Sequence, residues 1–331
     1  MIFISFTMSN LDEIFCSVVL PVYNGEKYLR KAMESILIQT HQNYELIVID
    51  NCSLDTSIQI VKSFNDYRIK IIRENDCHQV SAYNKGFQEA TGDYIFIFDQ
   101  DDIAEPTRFI LQLQYLLRTN SDICGSFINI IDENNVQIGK QTMPVDDNQI
   151  KGQLLYKNYT IFNSSVCIKK KVFNEIGYFE KRYFPSADYE FYLRASKKFT
   201  FSNVPLFLYN WRIHTNQIST KYNRIAREKT LAISLQFLTK SENNPPNIAI
   251  YFKKGLIFYY NDHLLKAFYY FILSLFNEKV YRNTIRYCLI IIIFGIPLKL
   301  FRKYNLTYSK LFLSIKRNFD NMLFITKRNV K

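Results

Sequence analysis

None of the six cysteines (Cys16, Cys52, Cys77, Cys124, Cys167, Cys288) forms a C-x-x-C pair, and none stands at ligand spacing from one of the four histidines. A zinc site or a disulfide framework is therefore without support, and reduced thiols in a cytosolic protein are the expectation. Internal repeats and low-complexity tracts are missing too. So is any apolar run of the roughly 20 residues that a bilayer-spanning helix requires. The segment Cys288–Leu298 is too short, ends at Lys299 and is interrupted by Gly295 and Pro297, which leaves shallow insertion as the alternative to no insertion. The N-terminal MIFISFTMSN has neither a basic n-region nor a small-residue cleavage site, so it does not read as a signal peptide, and Met8 serves equally well as a start.

Acidic residues are scarce in one part of the chain only. Residues 221–331 hold 20 basic but 5 acidic side chains, whereas residues 1–220 hold 22 and 25. The formal net charge of +12 thus belongs to the C-terminal third and says nothing about the rest. Apolar residues are plentiful: 48% of the 331 residues are hydrophobic, which excludes an intrinsically disordered chain and suffices for one large core or two smaller ones.

From Cys16 onward, short β-branched and aromatic runs alternate with amphipathic stretches, the pattern of a parallel sheet with crossover helices. Strands are expected at Ser17–Val22, Leu46–Asp50, Ile69–Arg73, Tyr94–Phe98 and Ile123–Ile131. Helices are expected at Glu26–Gln39, Thr56–Asn65, Ser81–Ala90 and Pro106–Leu117, the last with Pro106 at its first position. After Asp132 the alternation breaks down. A helix at Gln149–Lys157, a strand at Phe162–Ile168, a helix at Tyr189–Lys197 and strands at Phe201–Val204 and Leu206–Arg212 follow, and Asn243-Asn244-Pro245-Pro246 reads as a linker.

The early strands run out into polar or acidic residues: Tyr23-Asn24-Gly25, Asp50-Asn51, Glu74-Asn75 and Asp99-Gln100-Asp101-Asp102. In open α/β sheets ligands bind beyond the carboxyl ends of the strands, which marks these termini as the candidate site. Three carboxylates within four residues repel one another and call for compensation by a cation or by donors. Mg²⁺ or Mn²⁺, hard cations that bridge to phosphates, would supply it. The alternative is that Asp101 or Asp102 caps the helix that follows.

Taken in order, Ser17-Val-Val-Leu-Pro-Val-Tyr-Asn-Gly25 with Tyr28-Leu29, Glu45-Leu-Ile-Val-Ile-Asp-Asn-Cys-Ser-Leu-Asp55, Asn84-Lys-Gly86, Ala90-Thr-Gly-Asp-Tyr94 and Asp99-Gln-Asp-Asp102 resemble the family 2 inverting glycosyltransferases. The resemblance covers about residues 16–215 and implies a three-layer α/β GT-A fold, with a mainly helical C-terminal extension beyond it. It implies that Pro21, Tyr23, Asn24 and Glu26 line a nucleotide-sugar site together with Asn84, Lys85 and Gln100. Asp50 would accept from the base or ribose with Asp55 supporting its loop, Asp99 would lie near the ribose or donor sugar, and Asp101 would be the metal carboxylate of a D-x-D motif. Asn51 stands where the family often has an acid, and Tyr83 where it commonly has an arginine, which removes a phosphate contact.

Ser186-Ala-Asp-Tyr-Glu-Phe-Tyr-Leu-Arg194 is similar to the family's "ED" motif, with Ala187 in place of its Glu. Helical spacing puts Asp188 and Tyr192 on one face and turns Glu190 away. The resemblance makes Asp188 the catalytic base that takes the acceptor proton, and a helix cap is the alternative. Tyr209-Asn-Trp-Arg-Ile-His214 is similar to the family's Arg-x-His, which would bring Arg212 to the diphosphate and His214 to the metal or the diphosphate. Trp211 is read as packing.

The expected protein is a metal-dependent inverting glycosyltransferase that uses Mn²⁺ or Mg²⁺ and a nucleotide diphosphate sugar. Its acceptor would be a saccharide or polyprenyl-linked saccharide of a surface polysaccharide or lipopolysaccharide pathway. Residues 1–15 would be an N-terminal extension, 16–220 the catalytic domain, and 221–331 a basic helical extension on an anionic membrane surface. That puts the chain in the cytoplasm, peripheral on the inner face of the cell membrane. No nucleic-acid motif accompanies the basic segment, so no nucleic acid is expected. A nucleotidyltransferase would leave Asp188 unexplained. Ala187, Asn51 and Tyr83 keep a non-catalytic scaffold, bound to a membrane or to nucleic acid, as the alternative.

Overall fold

A computed structural model describes residues 11–154 and 160–239. The chain separates into two compact units, Met1–Ser234 and Leu235–Lys331, and the first holds the sheet and the candidate site. The linker, the run 288–298 and the basic segment 299–331 lie outside the described residues.

In chain order the elements are β1 (Cys16–Val22), α1 (Leu29–Leu37), β2 (Tyr44–Asp50), α2 (Ser57–Lys62), β3 (Ile69–Arg73), α3 (Gln79–Glu89), β4 (Tyr94–Ile97), β5 (Ile103–Ala104) and α4 (Arg108–Thr119). There follow β6 (Ile123–Ile131), β7 (Gln137–Gln141), α5 (Asp147–Leu154), β8 (Cys167–Lys169), α6 (Lys170–Ile176), α7 (Ala187–Ala195), β9 (Phe201–Arg212), α8 (Ile218–Lys221) and α9 (Asn223–Thr239). All nine strands form one sheet in the order β3-β2-β1-β4-β8-β6-β9-β5, with β7 paired to β6. β1–β4 are mutually parallel, and the sheet turns mixed where β8 runs antiparallel to both β4 and β6.

β1 is buried along nearly its whole length, as a central parallel strand covered on both faces must be. On one face Val18, Leu20 and Val22 pack with Ala32, Met33 and Ile36 of α1 and with Phe109, Leu113 and Leu116 of α4. On the other face Val19 meets Gly86 of α3. A Cβ at Gly86 would stand 2.3 Å from a Val19 methyl, so only glycine lets this helix lie so close. Phe87 continues that face through stacked Phe173 (4.4 Å) to Phe191 (5.2 Å), and this aromatic row seats α6 and α7. The result is the expected three-layer arrangement.

The observed elements depart from expectation in instructive ways. The segments Phe201–Val204 and Leu206–Arg212 are one strand, whose pairing with β6 slips around Pro205 because proline cannot donate to the ladder. The strand expected at Phe162–Ile168 shrinks to β8, preceded by a 3₁₀ turn at Asn163–Ser165 in which the Ser165 hydroxyl donates to the Phe162 carbonyl (2.9 Å). α4 begins at Arg108, not at Pro106. β5, β7 and α6 are short elements that periodicity did not reveal.

The reduced-thiol expectation is corrected for one pair. Cys52 and Cys77 form a disulfide, 25 residues apart in sequence but with Cα atoms 5.4 Å apart, because the loops after β2 and β3 lie side by side. Cys16, Cys124 and Cys167 are free and buried. Among the described residues no helix is long and apolar enough to cross a membrane.

Candidate functional site

At the carboxyl ends of β1 and β2 the two following loops are stitched together by side chains. Asn24 adopts a left-handed backbone (φ 45°) and accepts from the Leu54 amide (2.8 Å). Asp55 accepts from the Glu26 amide (3.0 Å), and Glu26 in return accepts from the Thr56 amide (3.0 Å) and hydroxyl (2.7 Å). Asp50 is almost buried and accepts through Oδ1 from the Ser53 amide (2.8 Å). Pro21 pairs in register with Ile49, while Tyr23 is half exposed beside these loops.

Gln100 ties these loops to the acid cluster. Its amide accepts from the Tyr23 N–H (2.8 Å) and donates to the Tyr23 carbonyl (3.0 Å), and a Cβ at Gly25 would meet it at 2.4 Å. Beside it, one oxygen from each of Asp99, Asp101 and Asp102 lies within 4.8 Å of the others. Tyr83 and Ser164 donate to the two oxygens of Asp99. Asp101 Oδ2 meets His214 Nε2 at 2.7 Å, and Asp102 accepts through Oδ1 from the Arg212 amide (2.8 Å). Asp102 Oδ2 is buried with no partner.

Burial, then the neighbouring Asp101, pushes the Asp99 carboxyl up to about 6 despite the bonds from Ser164 and Tyr83. Burial, then Asp101 and Asp99, drives Asp102 well above the ordinary range. These groups could hold a metal ion: the donors are hard oxygens, and the unpartnered Asp102 oxygen is the kind of unmet charge a cation relieves.

Asp188 stands in the first turn of α7, and burial raises its carboxyl. The helix cap is Ser186, not Asp188. The charge of Asp188 reaches Asp99 and Tyr83, so the base candidate and the acid cluster share one space. Tyr192, one turn on, donates to Asn163 Oδ1 (2.7 Å), which anchors α7 to the turn that carries Ser164. Glu190 turns away as expected and takes two bonds from Arg194 (3.1 and 3.0 Å).

Asn84, Lys85 and Arg212, also assigned to the donor by resemblance, likewise have their polar groups engaged within the protein. The Asn84 amide forms a closed pair with the Phe179 backbone, donating at 2.8 Å and accepting at 3.1 Å. Lys85 pairs with Glu89 (3.0 Å) one turn along α3. Arg212 is 1% exposed, and its guanidinium donates to the Asp101 carbonyl (2.6 Å), the Asp132 carbonyl (2.9 Å) and Asn135 Oδ1 (2.7 Å) while lying over the Tyr28 ring. It fixes the backbone behind Asp101. Trp211 packs against Phe162, as read.

Tyr83, Ser164, Tyr209 and Arg108 escaped the sequence reading as site residues. Arg108 and Gln112 carried a signal, since they sit at the buried positions of the apolar stripe Arg108, Phe109, Gln112, Leu113, Leu116.

A family model described as glycosyl transferase family 2 matches residues 17–177. An uncharacterized glycosyltransferase of Haemophilus influenzae is 31% identical over 237 residues, covering 67% of this chain and 73% of that protein. The chain belongs to glycosyltransferase family 2. WfgD of Escherichia coli, a UDP-Glc:alpha-D-GlcNAc-diphosphoundecaprenol beta-1,3-glucosyltransferase, is 27% identical over 222 residues, 66% of this chain and 85% of its own. Among solved structures, S. aureus TarS in complex with UDP-GlcNAc shares the fold, with a TM-score of 0.55 at 17% identity over 78% of this chain and 83% of that one.

Proposed function

We propose that this glycosyltransferase transfers its sugar with inversion, in one displacement, onto a lipid-linked saccharide. The observation that supports the reading is the nearness of the Asp188 carboxylate to Asp99, close enough for their charges to interact. Asp50, with Tyr23 and the stitched loops, would bind the nucleoside, and Asp99 a hydroxyl of the ribose or donor sugar. Asp101 and His214 would hold Mn²⁺ or Mg²⁺, with Asp102 behind them. When bound, the cation offsets the charge of the diphosphate.

Asp188, its carboxyl raised by burial, accepts the proton of the acceptor hydroxyl as that oxygen bonds to the anomeric carbon. The bond from that carbon to the diphosphate oxygen breaks in the same step, and the electron pair leaves with the nucleoside diphosphate. No covalent intermediate forms, so the configuration inverts.

Similarity to WfgD supports a diphosphopolyprenyl-linked saccharide as acceptor, in assembly of a surface polysaccharide or lipopolysaccharide. The 20 basic against 5 acidic side chains of residues 221–331 support a peripheral seat on the anionic cytoplasmic face of the membrane. Nucleoside diphosphate release is to be followed with Mn²⁺ and a panel of nucleotide sugars in wild type, Asp101→Ala and Asp188→Asn. The expected outcome is donor binding lost in the first variant. In the second, donor binding persists while transfer falls by about 10²–10⁴-fold. Equal turnover in all three would falsify the reading. Deleting residues 299–331 is expected to shift the protein from membrane to soluble fractions.

A further inference from the structure

A diphosphate brought to the acid cluster needs positive charge to meet it, and most of the basic side chains at the site are already committed. Arg212 spends its guanidinium on the Asp101 and Asp132 carbonyls and on Asn135. Lys85 is held by Glu89, and His214 faces Asp101. Lys27 is placed differently. It stands two residues before α1, next to Glu26 of the stitched loop, and its ammonium pairs with Glu133 in the turn between β6 and β7. The Lys27 side chain is 65% exposed and that of Glu133 42%, so water competes for both partners and the pair contributes little. A pair of this kind is readily exchanged for a stronger anion.

Tyr28 connects this lysine to the cluster. Lys27 Nζ lies 4.9 Å from the centre of the Tyr28 ring, Arg212 Cζ 4.7 Å, and the His214 ring 5.0 Å. Three basic side chains thus gather round one aromatic residue, and His214 Nε2 carries the contact on to Asp101 Oδ2 (2.7 Å). The Tyr28 hydroxyl donates to the same Glu133 oxygen that Lys27 holds (3.0 Å). The bond from Lys27 is the main cause that keeps the Glu133 carboxyl below the ordinary range, and the charge of His214 reaches it as well.

We infer that Lys27 is a diphosphate-binding residue that Glu133 holds in waiting. When the nucleoside diphosphate part of the donor arrives, the ammonium leaves the carboxylate for a phosphate oxygen. Glu133 keeps its bond from Tyr28 and is otherwise hydrated, so the exchange strands no buried charge. The inference rests on the acid cluster being the donor site. It goes beyond that reading by naming which cation meets the phosphates and which anion it gives up.

The experiment measures equilibrium binding of UDP, GDP and the corresponding nucleosides by calorimetry in Mg²⁺. It uses the full chain as wild type, Lys27→Gln, Glu133→Gln and the double variant. Both side chains are exposed, so neither substitution opens a cavity, and Glu133→Gln keeps an oxygen for Tyr28. Lys27→Gln is expected to weaken binding of the diphosphate that wild type prefers by about tenfold or more, as for a lost hydrogen bond between charged groups, and to leave nucleoside binding unchanged. Glu133→Gln is expected to tighten diphosphate binding, because the ammonium no longer has a carboxylate to leave, and that gain should vanish in the double variant. Undiminished diphosphate binding in Lys27→Gln, or a loss shared equally by the nucleoside, overturns the inference and leaves the donor-site reading standing. A gain from Glu133→Gln that persists without Lys27 overturns the exchange, since it would report only the removal of a nearby negative charge. A wild type that binds neither diphosphate overturns both readings.

Discussion

The stitched loops after β1 and β2 and the acid cluster after β4 lie side by side, are both rich in carboxylates, and solve the same problem in opposite ways. Burial works to raise Asp55, but the bonds it accepts from Ser57 and from the Glu26 and Ser57 amides outweigh it, and its carboxyl ends below the ordinary range. Burial also raises Asp99, and there the bonds from Ser164 and Tyr83 lose to burial and the neighbouring Asp101. One region has spent its polar valence on itself. The other keeps charge in excess of its donors, and unmet charge is what lets a site bind cations and move protons.

The contrast predicts unequal responses to mutation. The largest should follow Arg212→Met, which strips donors from the Asp101 and Asp132 carbonyls and Asn135. A loss of about 3–5 kcal/mol is expected in denaturant unfolding, as for breaking a buried charged network. Next, Tyr83→Phe keeps the ring against Phe87 and Phe179 but removes one donor from Asp99. A hydrogen bond to a charged group is worth about 1.5–3 kcal/mol, so the turnover constant should fall at least tenfold while the overall fold, read by circular dichroism, is unchanged.

The third prediction concerns pH. Because its folded pKa is raised, ionised Asp99 opposes folding above about pH 6, and that cost disappears as pH falls toward its unfolded value. Asp99→Asn should therefore stabilise the metal-free chain more at pH 8 than at pH 4.5, and a pH-independent difference would break the comparison. Asp55, with its depressed pKa, acts in the other direction: its contribution is present above its unfolded value and lost as pH falls through its folded one. The smallest effect should come from Asn24→Ala, about 1 kcal/mol in the same unfolding assay, since one loop stitch is lost among several.

Much of the sheet was legible because hydrophobic periodicity is local. Ile69–Arg73 and Ile123–Ile131 fall where the alternation of apolar residues puts them, and Asp99 and Asp101 stand out as carboxylates beyond the end of a buried run, whereas Asp188 was reached through the resemblance alone. Partner choice was not legible, because it is settled by packing between distant segments. Asn84 finds Phe179 and Cys52 finds Cys77 only through the way α3 and the loops after β2 and β3 are arranged. The motif Asn84-Lys-Gly86 is a case in point. Gly86 admits Val19, Asn84 clamps the segment that leads into α7, and neither observation is visible in spacing alone.

The partners of the acids arrive late in the chain. Asp102 waits for the Arg212 amide, Asp101 for the Arg212 side chain and for His214, all more than 100 positions downstream. Strands β1–β4 and their helices can pair from the first hundred residues, but the charge they carry at Asp99–Asp102 stays unbalanced until β9 has been made and inserted beside β6. Non-local pairing of this kind is slow to form. On a ribosome, the first four strands emerge with an open edge of like charge, which only the strand bearing Arg212 closes.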